Sequence, residues 1–130
     1  MRRLLLIAFL VLIVLPLIAG GAYDSWCDSS GMTELAPHST RHVSVYNRGC
    51  FRWKTTEVSV LRGDTLPSGQ GNVLSIRIPK DTGDRDFLYT PFASWVDSTT
   101  LQVQYSRRVE VLHRADRVGD VSVRFKFREP

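Results

Sequence analysis

The sequence is poor in the residues from which most catalytic and metal sites are built. Its 130 residues include two cysteines, Cys27 and Cys50, and three histidines. The cysteines are too far apart for a Cys-x-x-Cys redox motif, and two cysteines with scattered histidines do not match the usual zinc ligand sets. The sequence also lacks a Gly-x-Ser-x-Gly nucleophile elbow and a glycine-rich phosphate loop that opens a helix. We therefore predict no enzyme, no catalytic residue, no metal and no cofactor.

Length and charge exclude further classes of protein. A chain of this size accommodates one small domain, which excludes a two-domain enzyme or a barrel of eight βα repeats. The net charge is +4, and it falls to +2 for residues 23–130 because two of the arginines lie in the N-terminal segment. A charge so close to zero argues against a protein dedicated to nucleic acid.

One long apolar run is present, and it lies at the N terminus. Residues 4–18 are apolar, follow Arg2 and Arg3, and precede four small residues. Two interpretations of residues 1–22 remain open, namely a signal peptide cleaved after the small residues or a single-pass membrane anchor. Both predict a hydrophobic helix here. Both place the remaining chain outside the cytoplasm, either periplasmic or anchored in the cell envelope.

Cys27 and Cys50 both follow this N-terminal segment. In an oxidising compartment, an even number of cysteines most simply forms a disulfide. This bond would close a loop of 24 residues and would contribute about 3 kcal/mol of stability on the chain-entropy model.

Strand patterns dominate the rest of the chain. Apolar and polar residues alternate over 43–46, 57–60, 73–78, 101–105, 109–111 and 121–128, with turn-forming residues between these runs. Such alternation is typical of half-buried strands. It predicts an all-β fold over residues 41–130, a small antiparallel β-sandwich or curled β-meander of six to eight strands, with one polar and one apolar face. Residues 23–40 show little periodicity, and we predict a tether there.

The last of these runs is the clearest, and it is basic. Val121, Val123, Phe125 and Phe127 are predicted to point inward, and Ser122, Arg124, Lys126 and Arg128 outward. Residues 107–130 carry seven basic and four acidic side chains, whereas residues 23–106 carry eight and nine. Arg124, Lys126 and Arg128 are therefore candidate partner-binding residues. The alternative is a solvated face that protects an edge strand.

A second candidate segment follows Cys50. Phe51, Arg52, Trp53 and Lys54 alternate aromatic and basic side chains. One interpretation is a strand whose aromatic rings enter the core. The other is an exposed patch that binds a partner, since aromatic residues and arginine are enriched where proteins bind each other most tightly.

Several of these motifs occur together in a known pattern. A strand is followed by Cys50, a Val-Ser-Val-Leu strand at 58–61 and a Gly-Asn-Val turn at 71–73. Trp95 then precedes the Leu-x-Val-x-Tyr strand at 101–105, and a basic valine-rich strand follows. Over about 90 residues this order resembles a group of small bacterial envelope proteins of unknown function. The resemblance implies a β fold and an envelope location, and it implies no activity.

Together these observations predict a non-enzymatic extracytoplasmic β domain that binds an envelope component or a protein partner. The membrane is reached through the N-terminal segment, and nucleic acid is not expected as a partner. Two alternatives remain open. One is an immunity or inhibitor protein against an extracytoplasmic toxin or hydrolase, and the other, of a different class, is a small hydrolase.

Overall fold

The computed structural model describes residues 3–13, 29–49 and 54–129, which form a mostly β protein. A helix covers residues 3–13. The strands in the described residues are β1 Ser29–Leu35, β2 Arg41–Arg48, β3 Thr55–Arg62, β4 Leu74–Arg77, β5 Phe92–Asp97, β6 Thr100–Tyr105, β7 Glu110–Arg114, β8 Arg117–Val118 and β9 Val121–Phe127. A 3-10 segment, Lys80–Leu88, connects β4 to β5.

The strands form two sheets, one with the order β1-β2-β3-β4-β7 and one with the order β5-β6-β9-β8. Every neighbouring pair is antiparallel except β6 and β9, which are parallel. The β class predicted from the alternation is confirmed. Residues 41–130 contain eight described strands, as predicted, and β1 is an additional strand before them. The predicted antiparallel arrangement is wrong for one pair, because the chain enters the other sheet at β7 before β9 returns beside β6 in parallel. Alternation reports which face a side chain occupies and carries no information on strand direction.

Both sheets contribute side chains to one hydrophobic core. The fully buried core members are Val43, Val58, Val73, Leu74, Ile76, Ala93, Leu101 and Val103, with Val121 nearly so. In β6 the predicted pattern is confirmed, since Leu101, Val103 and Tyr105 are buried and the residues between them are partly exposed.

The structure differs from the predicted tether over residues 23–40. Ser29–Leu35 is an edge strand of the five-stranded sheet, antiparallel to β2. A bulge between Ser30 and Thr33 interrupts its register, which explains why the sequence shows no clean alternation. Gly31 lies in this bulge, and a Cβ there would be 2.3 Å from the carbonyl oxygen of Val45. Only glycine permits so close an approach to β2.

The polar face predicted for β2 and β3 is not solvated. Residues 42–46 and 55–60 are buried on both faces of the sheet. The loop over residues 63–73 covers the outer face, where the Tyr46 hydroxyl donates to the carbonyl oxygen of Gly69 at 2.9 Å. The backbone N–H of Gly71 donates to Glu57 Oε2 at 2.9 Å. We call the buried polar side chains that contact this loop the inner polar layer; they include Tyr46, Glu57 and Ser59.

The helix over residues 3–13 confirms the predicted N-terminal helix for this part of the segment. Its large apolar side chains are exposed, from 47% at Ile13 to 73% at Leu4 and Leu12. Among the helices of the described residues, none is long and apolar enough to span a bilayer. Cleavage or retention of residues 1–22 stays a prediction.

Candidate partner-binding surface

The two halves of β9 have different surroundings. Val121 and Val123 are buried as predicted, and Phe125 is partly buried against the core. Phe127 lies on the predicted face, in register with Tyr105, but its side chain is 53% exposed instead of buried. The neighbouring strand β8 contains only two residues. Within the described chain, residues 124–127 therefore pair only with β6.

Three aromatic rings cluster at this end of β9. The parallel register places Tyr105 of β6 opposite Phe127, with Val103 opposite Phe125. The Tyr105 ring centroid is 5.9 Å from that of Phe125 and 5.4 Å from that of Phe127, both in edge-to-face geometry. This arrangement is favourable because the positive edge of one ring meets the negative face of another.

Two arginines cover the phenylalanine rings. Cζ of Arg114 lies 4.2 Å from the centroid of Phe125, and Cζ of Arg107 lies 4.4 Å from that of Phe127. Both are cation–π distances. Arg114 Nη1 also donates a hydrogen bond to the Tyr105 hydroxyl at 3.1 Å. We call these five residues the arginine–aromatic surface.

The charge of this surface is permanent. Burial by itself would lower the pKa of Arg114, but the hydrogen bond to Tyr105 and the neighbouring Asp116 outweigh it and raise the pKa. Asp116 lies 3.4 Å from Arg114 and is 80% exposed, so this ion pair is weakened by solvent. Within the described residues, no carboxylate lies within 4.0 Å of Arg107.

A second arginine–tyrosine pair extends the same pattern. Arg108 Nη1 donates to the Tyr89 hydroxyl at 2.7 Å, and Cζ of Arg108 is 5.5 Å from the Tyr89 ring centroid. Arg108 Nη2 is also 3.8 Å from Asp81, although both side chains are more than half exposed.

The residues predicted to bind a partner do not converge on one site. Arg124 and Lys126 are exposed on the outer face of the four-stranded sheet, opposite Gln102 and Gln104 of β6. Their side chains alternate with those of Phe125 and Phe127 and therefore lie on the opposite face of β9. Arg128 is half-buried and donates from Nη2 to the carbonyl oxygen of Thr90 at 3.2 Å.

The remaining candidates lie before β3. Lys54 is half-buried and lines a cavity beside Arg77 and Lys80, in the region of the five-stranded sheet. The residues Phe51, Arg52, Trp53, Cys27 and Cys50 lie outside the described residues, so the aromatic–basic patch and the disulfide stay predictions.

Sequence reasoning missed Arg107 and Arg114 as surface residues, and it missed the buried Tyr105 as the ring that contacts both phenylalanines. The excess of positive charge after residue 106 was a correct signal, but it does not show which cations cover aromatic rings. That depends on the parallel pairing of β6 with β9 and on the position of β7, which brings Arg114 over Phe125.

One row of chemically capable side chains crosses the five-stranded sheet. Glu57, Ser75 and His113 are register partners on β3, β4 and β7. Ser75 is fully buried, and its Oγ has no hydrogen-bond partner among the described residues. Glu57 instead accepts from Gly71 and from the hydroxyl of Thr55 at 2.6 Å. The row therefore lacks the hydrogen-bonded nucleophile and base that a hydrolase requires.

No three histidine or carboxylate side chains come together to form a metal site in the part of the chain that the structure describes. His42 is buried on β2, and His38 occupies a turn with a positive φ of 52°.

Comparison of the chain with protein-family models, with curated proteins and with solved structures gave no match. The resemblance to small envelope proteins therefore stays a prediction from the sequence.

Proposed function

We propose that this chain is an exported, non-enzymatic β domain that binds an acidic protein or an acidic envelope component through its arginine–aromatic surface. The observation that carries the proposal is the pair of guanidinium groups stacked on Phe125 and Phe127, of which the Phe127 side chain is 53% exposed. An acidic partner fits because this end of the molecule presents cations that carboxylates of the chain do not fully neutralise.

The stacking geometry prepares the arginines for binding. A guanidinium that lies over a ring keeps its planar edge of N–H groups available for a carboxylate or a phosphate. This applies most directly to Arg107, because Arg114 already donates to Tyr105 and pairs with the exposed Asp116. The ring limits the side-chain rotamers, so less conformational entropy is lost when the partner binds. The exposed part of Phe127 adds apolar area at the centre of the contact, which is the composition common to the strongest contact residues of interfaces.

The proposal includes export and a Cys27–Cys50 disulfide in a closed β-sandwich. Both sheets contribute to one core, which supports the sandwich. Ser29 of β1 pairs with Asn47 of β2. Cys27 precedes this pair by two residues and Cys50 follows it by three, so the intervening chain is short enough for the thiols to meet. Intact mass with and without reductant, measured on membrane and soluble fractions, tests the disulfide and the cleavage of residues 1–22 together.

Quantitative capture from envelope extracts tests the binding surface. The double variant Arg107→Gln, Phe127→Ala should lose most of the specifically bound component, and 0.5 M salt should release it from the unmodified protein, because exposed charge contacts are screened at high ionic strength. A captured toxin or hydrolase would make the protein its inhibitor.

The matched control is Arg124→Gln, Lys126→Gln, which removes two charges from the other face of the same strand. Capture by this variant should equal that of the unmodified protein. Equal capture by both double variants would refute the arginine–aromatic surface as the binding site.

A further inference from the structure

Two adjoining cavities lie beside the 3-10 segment, and the described residues that line them include none of the five residues of the arginine–aromatic surface. The first has a volume of about 330 Å³ and is lined by residues that include Lys54, Arg77, Lys80, Thr82 and Asp86. The second has a volume of about 370 Å³, and the two share the wall formed by residues 77–80. Each is in the size range of small-molecule sites.

Cationic side chains predominate in the first cavity. Among the described residues that line it, Lys54, Arg77 and Lys80 are cationic and Asp86 alone carries a carboxylate. Within the described residues, no carboxylate lies within 4.0 Å of either lysine ammonium group. Arg77 donates from Nη1 to Glu110 at 2.9 Å, but Glu110 is 60% exposed, so solvent weakens this pair. The cavity therefore favours an anion.

Asp86 supplies a different function in the same cavity. The Thr82 hydroxyl is within hydrogen-bond distance of both Asp86 Oδ1 and the carbonyl oxygen of Pro79, and shares its one proton between these two acceptors. These contacts hold the carboxylate in place, and Oδ2 accepts no hydrogen bond from a described residue. A fixed carboxylate oxygen with free acceptor capacity suits a ligand hydroxyl group.

We propose that this cavity binds a small phosphorylated polyol. The phosphate would be held by Lys54, Arg77 and Lys80, and a hydroxyl group would donate to Asp86. The same chemistry occurs in a free polyol phosphate and in a glycerophosphate lipid headgroup. The site is independent of the proposed partner surface, because Lys54, Lys80 and Asp86 do not belong to that surface.

Calorimetric titration of the purified full chain tests the site, with sn-glycerol 3-phosphate, inorganic phosphate and glycerol as probes. We expect saturable binding of glycerol 3-phosphate, weaker binding of phosphate and none of glycerol. Lys54→Gln and Lys80→Gln should each raise the Kd for glycerol 3-phosphate about tenfold, since each removes a charge-assisted hydrogen bond. Asp86→Asn should retain phosphate binding and lose the preference for glycerol 3-phosphate.

Sedimentation with vesicles distinguishes the two sources of the ligand. If phosphatidylglycerol vesicles compete with glycerol 3-phosphate, and Lys80→Gln abolishes this competition, the headgroup is the ligand. If they do not compete, the ligand is a free polyol phosphate. Arg124→Gln, on the exposed outer face of the four-stranded sheet, is the charge-matched control and should bind like the unmodified protein.

Two results would overturn the proposal. One is the absence of saturable binding of glycerol 3-phosphate and of phosphatidylglycerol vesicles to the unmodified chain. The other is unchanged affinity in Lys54→Gln and Lys80→Gln variants that unfold at the same temperature as the unmodified protein.

Discussion

The two sheets use the same sequence pattern with different results. In the five-stranded sheet, Tyr46, Glu57 and Ser59 of β2 and β3 are buried and form hydrogen bonds with the loop over residues 63–73. In the four-stranded sheet, the polar residues of β6 and β9 face outward and are partly or fully exposed. The difference lies in whether a loop returns over the outer face. A covered polar side chain must form hydrogen bonds within the protein, whereas an uncovered one is free to contact solvent or a partner.

The inner polar layer and the exposed end of β9 are therefore expected to have different functions. The inner polar layer links the loop to the sheet and is expected to contribute to stability. The exposed end of β9 contributes little to the core and is expected to contribute to binding. Substitutions at equivalent positions of the two sheets should therefore lower the free energy of unfolding by different amounts.

The largest effect is expected at Glu57. This carboxylate is fully buried and accepts hydrogen bonds from Gly71 and Thr55, with Arg48 Nε 3.7 Å away. Glu57→Ala leaves the donors without an acceptor and should lower the free energy of unfolding by about 4 kcal/mol.

Urea unfolding measures this effect, and Glu110→Ala is the control. Glu110 forms an exposed ion pair with Arg77, so its removal should cost less than about 1 kcal/mol. Equal losses in the free energy of unfolding for Glu57→Ala and Glu110→Ala would show that Glu57 does not hold the loop on the sheet.

The next effect concerns the contact of the loop with the sheet. A Cβ at Gly71 would lie 2.5 Å from the carbonyl oxygen of Leu74 and 2.6 Å from that of Val58. Since both are backbone atoms, Gly71→Ala must displace the loop and should cost about 3 kcal/mol.

Gly69→Ala separates this steric effect from backbone strain. Gly69 has a φ of +65°, and no atom lies within 4 Å of the position that a Cβ would occupy, so only the left-handed conformation is penalised, by about 1 kcal/mol. Thermal unfolding of Gly71→Ala and Gly69→Ala measures the two effects. A larger loss of stability in Gly69→Ala than in Gly71→Ala would contradict the close packing of the loop on β3.

A smaller effect should distinguish two serines on the outer faces of the two sheets. Ser59 Oγ accepts from the Asn72 backbone N–H at 3.1 Å and lies 3.2 Å from the Tyr46 hydroxyl. Ser59→Ala should therefore cost about 1.5 kcal/mol. Ser122 of β9 is partly exposed, and Ser122→Ala should change stability by less than about 0.5 kcal/mol. Chemical denaturation of both variants provides the test. Similar losses in the free energy of unfolding would show that the polar side chains of the two sheets contribute equally to stability.

The smallest effect concerns an ion pair between the two regions. Arg41 of β2 donates to Asp120, in the turn between β8 and β9, at 2.8 Å. This hydrogen bond lowers the pKa of Asp120 below its ordinary value of 3.8. A lowered pKa in the folded state means that the contribution to stability is present above pH 3.8 and is lost as the pH falls through the folded-state value.

Titration of Asp120 by NMR tests this assignment. In Arg41→Gln the pKa of Asp120 should rise towards 3.8, and the stability of the variant should depend less on pH in this range. An unchanged pKa would mean that another group holds the carboxylate. Asp97 is a useful internal reference, because its pKa is lowered by the backbone N–H of Thr99, which Arg41→Gln leaves intact.

Much of the fold follows from local pattern. The buried positions of β6 and the first half of β9 were predictable, because alternation places every second side chain on one face. The edge strand β1 was not, since its bulge breaks the alternation and Met32, Thr33 and Leu35 are exposed. Glu57 was predicted to face outward. It does so with respect to the core, but no local pattern indicates that a loop beginning six residues later covers it.

The binding surface was predictable only in part. The basic character of the last 24 residues is visible in the sequence. The surface itself joins β6, the turn that follows it, β7 and β9, which are brought together by contacts between distant segments.

The amino-acid sequence by itself determined the β class, the apolar N-terminal helix and the side chains that can reach a core, because these depend on short-range periodicity and hydrophobicity. The tertiary structure alone decided that β9 runs parallel to β6, that Glu57 is enclosed and that Arg107 and Arg114 lie on phenylalanine rings. These properties depend on which distant segments meet, and a period-two pattern is compatible with many such pairings.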